Sequence, residues 1–351
     1  MKAYPELAAV RAAMATAPDI YQPSVFWRDA SATIVDELCA GGIEHFRSME
    51  TPLNYFVPTW GVPVSGFTAE QVQALTGLLA RDYPGATKAQ LAMAQFLSGE
   101  SAAQADYRVL KAADDPTRLP HLHTFSESEA GSPVGQMSFE GRRFSRSSMN
   151  YLLGLAMLKK HLGAELPRVV LEVGGGFGTL GEVLAASGMP DWRYIDIDIP
   201  PTSFVAQWYL EQALGASRVT GWAQTHGQAS LHIETLPPAS VLAAWQIEQL
   251  QGRVDLFVNF ISFQEMEPHI VRNYLAQAMR LQARWVLLRN LREGKQKRVP
   301  GQRHGVDDPV TGDDYPDMLP GYDVVERATL PFGFKTVDGF HSELTLLRRQ
   351  S

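Results

Sequence analysis

Positions 172 to 178 read Glu-Val-Gly-Gly-Gly-Phe-Gly, a carboxylate followed by glycines at 174, 175, 176 and 178. Glycines packed this densely let the backbone take left-handed dihedrals and approach a ligand that side chains would hold off. The run Val169 to Val173 is short and largely β-branched, and Leu180, Val183 and Leu184 resume at helical spacing. The glycines therefore lie in a strand-to-helix turn whose helix presents its free amides to whatever sits above. About 20 residues further on, Tyr194-Ile195-Asp196-Ile197-Asp198 reads as a second strand ending in two carboxylates on one face. That is where a doubly wound fold places the acid that accepts hydrogen bonds from ribose hydroxyls. Loop and acid together indicate a nucleotide-type cofactor.

Other polar residues fall near the ends of apolar runs. Asn259, Ser262, Gln264 and Glu265 follow the run 254–261. Glu265 suits a general base, or equally an acid complementing the N-terminus of a helix from Met266 to Met279. His269, one turn on, reads as a helix-surface residue. In Ser-Glu-Ser-Glu-Ala-Gly-Ser-Pro, Glu127 and Glu129 suit hydrogen bonding to a polyol or amine, or simply a solvated loop. Arg142, Arg143 and Arg146 could neutralise a substrate phosphate or carboxylate, or be ordinary surface residues. The segment 292–320 is placed like a substrate loop between two late strands, and its His304 has the side-chain type best suited to accept a proton near neutral pH. The acids around His304 match no metal spacing, so no metal is expected.

Several elements must position these groups. Helical spacing appears from Glu6 to Ala15, Ala30 to Ala40, Thr68 to Ala80 and Thr87 to Leu97. Residues 111–148, rich in Pro, Gly and Ser, read as an ordered loop or short hairpin, and a helix runs from Met149 through Leu162. Strand-like runs at 169–173, 193–197, 254–261 and 284–291 alternate with helical stretches, which implies βαβ units and a parallel sheet. Arg218 to Trp222, or else Leu231 to Leu236, offers an edge strand. Tyr322 to Leu330 and Ser342 to Arg348, with no helix between them, suggest a closing antiparallel hairpin. The expected organisation is a mainly helical region over 1–148 and an α/β cofactor domain over 149–351.

Among the 351 residues, 45% are hydrophobic and 20% charged, an ordinary globular composition. The net charge of −7 argues against a general grip on nucleic acid or anionic membrane and favours a small neutral or cationic partner. The one cysteine, Cys39, reads as a buried structural thiol. No apolar leader opens the chain and no stretch is apolar over the length of a membrane span, so a cytoplasmic protein is expected.

Gly176-x-Gly178-x-x-Gly181 also satisfies the dinucleotide pattern, but a terminal hairpin after five parallel strands resembles the class I S-adenosylmethionine (SAM) methyltransferases, whose glycine loop is likewise preceded by an acid. More narrowly, the chain resembles the sugar O-methyltransferases of bacterial saccharide and natural-product clusters. The likeness lies in Ser24-Val25-Phe26-Trp27 leading to Gly41-Gly42-Ile43-Glu44-His45-Phe46-Arg47, in Glu129-Ala130-Gly131-Ser132-Pro133, in the glycine loop, and in Tyr194 to Pro200 followed by Asn259 to Met266. It spans roughly residues 20 to 295.

The resemblance implies SAM as cofactor and S-adenosylhomocysteine (SAH) as product. Gly174, Gly175, Gly176 and Gly178 would turn beneath the methionine half, with Glu172 toward its amino end. Asp198 would take the ribose hydroxyls in preference to Asp196, which would orient the loop. Asn259 and Ser262 would complete the cofactor wall, while Trp222, Gln224 and Thr225 are weak candidates for the adenine. Glu127, Glu129, Gln264 and Arg146 would meet the acceptor, with His304 as proton acceptor and Glu265 orienting the acceptor hydroxyl. The helical first third would serve as a lid or a homodimer surface, carrying specificity through Tyr55, Phe56, Trp60 or Tyr107 unless those rings are core. N- or carboxyl-O-methylation of an amino-acid-derived product, a SAM-binding protein without catalysis, and an NAD-dependent dehydrogenase remain the alternatives.

Overall fold

The computed structural model describes residues 3–60, 69–299, 305–336 and 338–350. Among the described residues the chain leads with the helices α1 (Pro5–Met14), α2 (Val25–Gly41), α3 (Glu50–Tyr55), α4 (Ala69–Asp82), α5 (Thr87–Leu97) and α6 (Glu100–Ala113). A short antiparallel hairpin, Met137–Phe139 with Arg142–Phe144, falls inside the Gly- and Pro-rich stretch. Helix α7 (Arg146–His161) then opens on Ser145, whose hydroxyl accepts from the Ser148 amide while the Ser148 hydroxyl accepts from the Ser145 amide, a reciprocal capping box. Helix α7 is buried from Ser147 through Lys159 and packs against α6, the helix α8 (Thr179–Ala186) and the central sheet.

That sheet is built from β1 (Val169–Val173), β2 (Arg193–Asp198), β3 (Ala239–Ala243), β4 (Leu256–Phe260), β5 (Trp285–Leu291), β6 (Tyr322–Ala328) and β7 (His341–Arg349). From one edge to the other the order is β6-β7-β5-β4-β1-β2-β3, with Val219–Thr220 added beyond β3 and Phe334–Lys335 paired to β7. Strands β1 to β5 run parallel, and β7 lies antiparallel between β5 and β6. The parallel strands carry helices on both faces, so their residues are apolar almost throughout rather than alternating. Helices α9 (Thr202–Leu214) and α10 (Pro268–Arg280) complete the covering layers.

Strand β3 departs from expectation. The stretch Ala-Ser-Val-Leu-Ala shows neither alternation nor a β-branched majority, because all five residues are buried on a two-sided sheet. Of the two edge candidates, Val219–Thr220 is the edge strand, and Leu231–His232 pairs instead with Leu250–Gln251 in a separate two-stranded sheet. Helix α10 begins at Pro268 rather than Met266, proline being favoured at a first helical position. Cys39 is half-buried on α2 rather than sealed in the core.

Helices α2 and α6 and the turn after α2 share a hydrophobic core with the sheet. Ile34, Leu38 and Phe46 belong to the same buried cluster as Leu152, Val170 and Leu287. Its fastening point is Phe46, fully buried among the rings of Phe56, Phe177, Trp208 and Tyr209 at centroid separations of 5.6 to 6.2 Å. Phe177 belongs to the glycine loop, so burial of these rings, each contributing about 1.5–3 kcal/mol, clamps the N-terminal region onto that loop. Arg47 stacks its guanidinium 5.0 Å over Phe177 and pairs with Glu127 at 2.9 Å, both side chains being buried.

Candidate functional site

Gly174 and Gly176 show why the loop demands glycine. Both have positive φ, +72° and +64°. A Cβ on Gly174 would lie 2.2 Å from Ser262 Oγ, whereas one on Gly176 would meet, among the described residues, only the Phe56 carbonyl, at 3.5 Å. Gly174 thus brings β1 against the end of β4, and Gly176 keeps a surface clear for a ligand. At the end of β4, Ile261 has φ +74°, uncommon for a β-branched residue, and turns the chain into the short helical turn Ser262–Glu265.

The carboxylates of β1 and β2 sit directly behind this loop. Glu172 and Asp196 are cross-strand partners, and Asp198 follows two residues along on the same face. The Gly175 amide donates to Asp196 Oδ1 at 3.2 Å, and Asp198 accepts from the Gly176 amide at 3.2 Å and the Ile199 amide at 2.7 Å. Tyr194 donates its hydroxyl to Glu172 Oε2 at 2.6 Å and Tyr151 stands beside the same carboxyl, while Glu172 Oε1 and Asp196 Oδ2 are buried with no partner at hydrogen-bond geometry among the described residues. Burial raises all three carboxyl groups, Asp196 well above its ordinary value, Glu172 to about 8 and Asp198 to about 7. For Asp198 the charge of Glu265 adds to the effect.

A pH dependence follows. In the unfolded chain these groups titrate near 4, so the folded values of about 7 to 8 are elevated. The stability they confer is complete below about pH 4 and is lost as pH rises through 7 to 8. The ligand-free protein should therefore melt at progressively lower temperature from pH 5 to 8.5, by at most about 1.4 kcal/mol per pH unit for each proton. Glu172→Gln should flatten that slope; thermal melts giving a flat or rising profile that Glu172→Gln leaves unchanged would contradict the assignment.

A cavity of about 300 Å³ opens at the carboxyl ends of β1, β2 and β4. Gly174 to Gly176, Asp198, Ser262 and Glu265 line its sheet side, and Tyr21, Trp27, Tyr55 and Phe56 reach it from the N-terminal region. Glu265 is clamped from two sides, by the Trp27 indole N–H at 3.0 Å and the Lys295 ammonium at 2.8 Å, and Lys295 in turn sits 3.9 Å over the Phe26 ring. Each carboxylate oxygen accepts one of these bonds and retains a free lone pair, so Glu265 can still receive a hydrogen bond from a ligand.

Several sequence expectations are redirected. Glu127 is fully buried, bound by Arg47 and by the Ser145 hydroxyl at 2.8 Å, and holds the loop rather than lining the cavity. Glu129 is exposed beside Arg143. Asn259 is consumed internally: its amide donates to Val173 O and Ser262 Oγ, and its carbonyl accepts from the Phe263 amide and Asn290. Gln264 likewise ties the Leu291 amide at 2.8 Å. These polar side chains follow strand ends whose free backbone groups need partners, and they supply them. Arg146 lies behind the cavity wall, with Nη1 on the Thr59 carbonyl.

Trp222 stacks on His226, while Gln224 and Thr225 bond within their own turn, so none of the three lines the cavity. Of the candidate aromatics, Tyr55 and Phe56 line it. Trp60 instead donates to Asp106, and Tyr107 stacks on Phe139. His269 is exposed on α10. His304 lies outside the described residues. Trp27 and Lys295 carry no chemical signal in the sequence beyond the place of Trp27 within one of the stretches that bear the family resemblance.

The strand order, the crevice at the switch between β1 and β4 and the glycine loop after β1 define the class I methyltransferase fold. No protein-family model matches the chain, and no curated protein is significantly similar to it. Solved structures similar to it include magnesium protoporphyrin IX methyltransferase from Synechocystis with bound SAM, at 13% identity over 57% of this chain and 79% of that one, TM-score 0.38. A SAM-dependent methyltransferase from Aquifex aeolicus is similar at 16% identity over 58% and 94%, TM-score 0.35. The pyocyanin biosynthetic protein PhzM is similar at 14% identity over 54% and 52%, TM-score 0.35. Likenesses this distant do not extend to activity or ligand. Among the described residues no helix is long and apolar enough to cross a membrane.

Proposed function

We propose that the protein is a SAM-dependent methyltransferase acting on a small polar acceptor, a sugar hydroxyl above all. The observation that carries the cofactor reading is the use made of the loop amides. In a dinucleotide site such amides face a pyrophosphate; here those of Gly175 and Gly176 are taken by Asp196 and Asp198, and Glu172 stands behind them with an oxygen that has no hydrogen-bond partner among the described residues. A ligand carrying an ammonium and a sulfonium draws these burial-raised carboxyl groups into their charged form and is held by them, which a pyrophosphate cannot do. Glu172 and the glycine loop would hold the amino-acid end, and Asp198, which lines the cavity, the ribose. SAM supplies a methyl group on a positively charged leaving group. The chain's own residues align the acceptor, exclude water beneath Trp27, Tyr55 and Phe56, and take up its proton.

The sugar assignment draws support from the family resemblance and from the cavity's mixture of Trp27 and Tyr55 rings with Asn54, Ser147, Asn150 and Glu265. Rings of this kind offer an apolar face to a pyranose while the polar groups meet its hydroxyls. Glu265, clamped by Trp27 and Lys295, orients the acceptor hydroxyl, and His304 accepts the proton.

Calorimetric titration should show SAH binding and NAD not binding, and labelled methyl from SAM should appear on a hydroxyl of a sugar panel. Asp198→Ala should weaken SAH about ten- to hundredfold, the loss of a charge-assisted hydrogen bond of about 1.5–3 kcal/mol. Asp196→Ala should weaken it less. NAD binding in place of SAH would overturn the cofactor reading; label found only on amines or carboxylates would replace the sugar with an amino-acid-derived acceptor.

A further inference from the structure

Beside the cavity lies a charge cluster that none of these roles uses. Arg289, on β5, is fully buried. One terminal nitrogen donates to the Phe332 carbonyl at 2.8 Å and approaches the Asn150 carbonyl at 3.4 Å. Nε and the other terminal nitrogen have no partner among the described residues. Arg146, in the first turn of α7, stands next to it: its guanidinium lies 4.3 Å over the Phe334 ring, and the same ring is 6.0 Å from the Arg289 guanidinium. The acid facing both is Asp106, whose carboxylate also receives the Trp60 indole N–H at 2.8 Å. Among the described residues two guanidinium groups stand against one carboxylate, which leaves positive charge uncompensated around the buried Arg289.

A buried, incompletely bonded guanidinium is costly unless an anion meets it, and its planar fork matches a carboxylate or phosphate in bidentate fashion. The partition between this cluster and the cavity is one residue thick. Asn150 and Phe260 both line the cavity, Asn150 through its carbonyl contacts Arg289, and the Phe260 ring centroid is 5.4 Å from the guanidinium. Ser147 and Asn150 also place the first turns of α7 at the cavity wall, where the positive end of the helix dipole adds to the same field. The opposite wall holds Asp198 and the Glu265–Lys295 ion pair, so the positive field of the cluster acts from one side of the site.

We propose that Arg289 and Arg146 form an anion-recognition subsite of the acceptor pocket, so that the acceptor is a sugar acid or a sugar phosphate rather than a neutral sugar. The naming of an acceptor rests on the methyl-transfer reading; the anion site itself does not. Its ligand enters past the Asn150 side chain and places its anionic group on Arg289, with its hydroxyl directed toward Glu265.

The test titrates wild-type protein, with and without SAH, with glucuronate, glucose 6-phosphate and glucose at constant ionic strength, by calorimetry. At least one of the two anionic sugars should bind at least tenfold more tightly than glucose, and the stronger one identifies carboxylate or phosphate as the recognised group. Arg289→Met should remove that preference, Arg289→Lys should restore only part of it, and Arg146→Met should weaken it, which serves if Arg289→Met does not fold. No preference for either anionic sugar over glucose, or a preference that survives intact in both Met variants, would overturn the subsite. SAH binding without anion preference removes the subsite and leaves methyl transfer standing; anion preference without SAH binding does the reverse.

Discussion

Gly176→Val should abolish SAH binding in a protein that still folds. The Cβ at this position meets a single atom at ordinary contact distance, the Phe56 carbonyl at 3.5 Å, and the rest of the side chain enters the cavity. Steric cost to the fold is thus confined to the left-handed backbone, about 1–2 kcal/mol for a residue with a Cβ. Cost to the ligand is far larger, since the isopropyl group fills the space against which the cofactor's methionine half would lie. A loss of at least about a hundredfold in affinity, more than 2.7 kcal/mol, is expected by calorimetry, with a small fall in melting temperature. Gly174→Ala is the contrasting variant, because its Cβ would collide with Ser262 Oγ at 2.2 Å and disturb the junction of β1 with β4. Near-normal SAH affinity in folded Gly176→Val would remove the cofactor from this loop.

The second large effect concerns the proton. Methyl transfer to a hydroxyl needs an acceptor for its proton, and imidazole takes one near neutral pH without a large change in basicity. His304→Ala should therefore lower turnover about a hundredfold or more, with SAH affinity nearly unchanged. Glu265→Gln should act differently. Its carboxylate is committed to Trp27 and Lys295, and the amide would keep the shape while losing the charge that Lys295 faces. The expected result is mainly a raised apparent KM for the acceptor. If His304→Ala turns over normally and Glu265→Gln does not, the two roles are exchanged. If both variants remain fully active, neither group is the base.

Several parts of this architecture were legible in the residues. Strands β1, β2, β4 and β5 coincide within two residues with the apolar runs, because strands buried on both faces show as short runs of Val, Ile, Leu and aromatic residues bounded by turns. Strand β3 escaped, since Ala-Ser-Val-Leu-Ala has no such bias and owes its extended form to its neighbours. The same division runs through the site. The glycine loop, Asp198 and Glu265 sit at strand ends on the crevice, and their positions follow from the alternation of strand and helix alone. Glu127 and Asn259 look equally chemical in one dimension, yet each is saturated by partners that only folding supplies, Arg47 lying 80 positions from Glu127.

What the sequence by itself determined is therefore local: an acid, a glycine turn and a second acid, joined by short-range rules of backbone geometry to a parallel sheet. What only the tertiary structure decided is which of the remaining polar groups face the crevice and which are spent inside the fold. Trp27 and Lys295 converge on Glu265 from 238 and 30 positions away, and Arg289 acquires its unanswered charge by burial beneath Phe260 and Phe334. A side chain's chemistry is written in its type, but its hydrogen-bond partners and its dielectric surroundings belong to contacts between distant segments, which spacing along the chain does not encode.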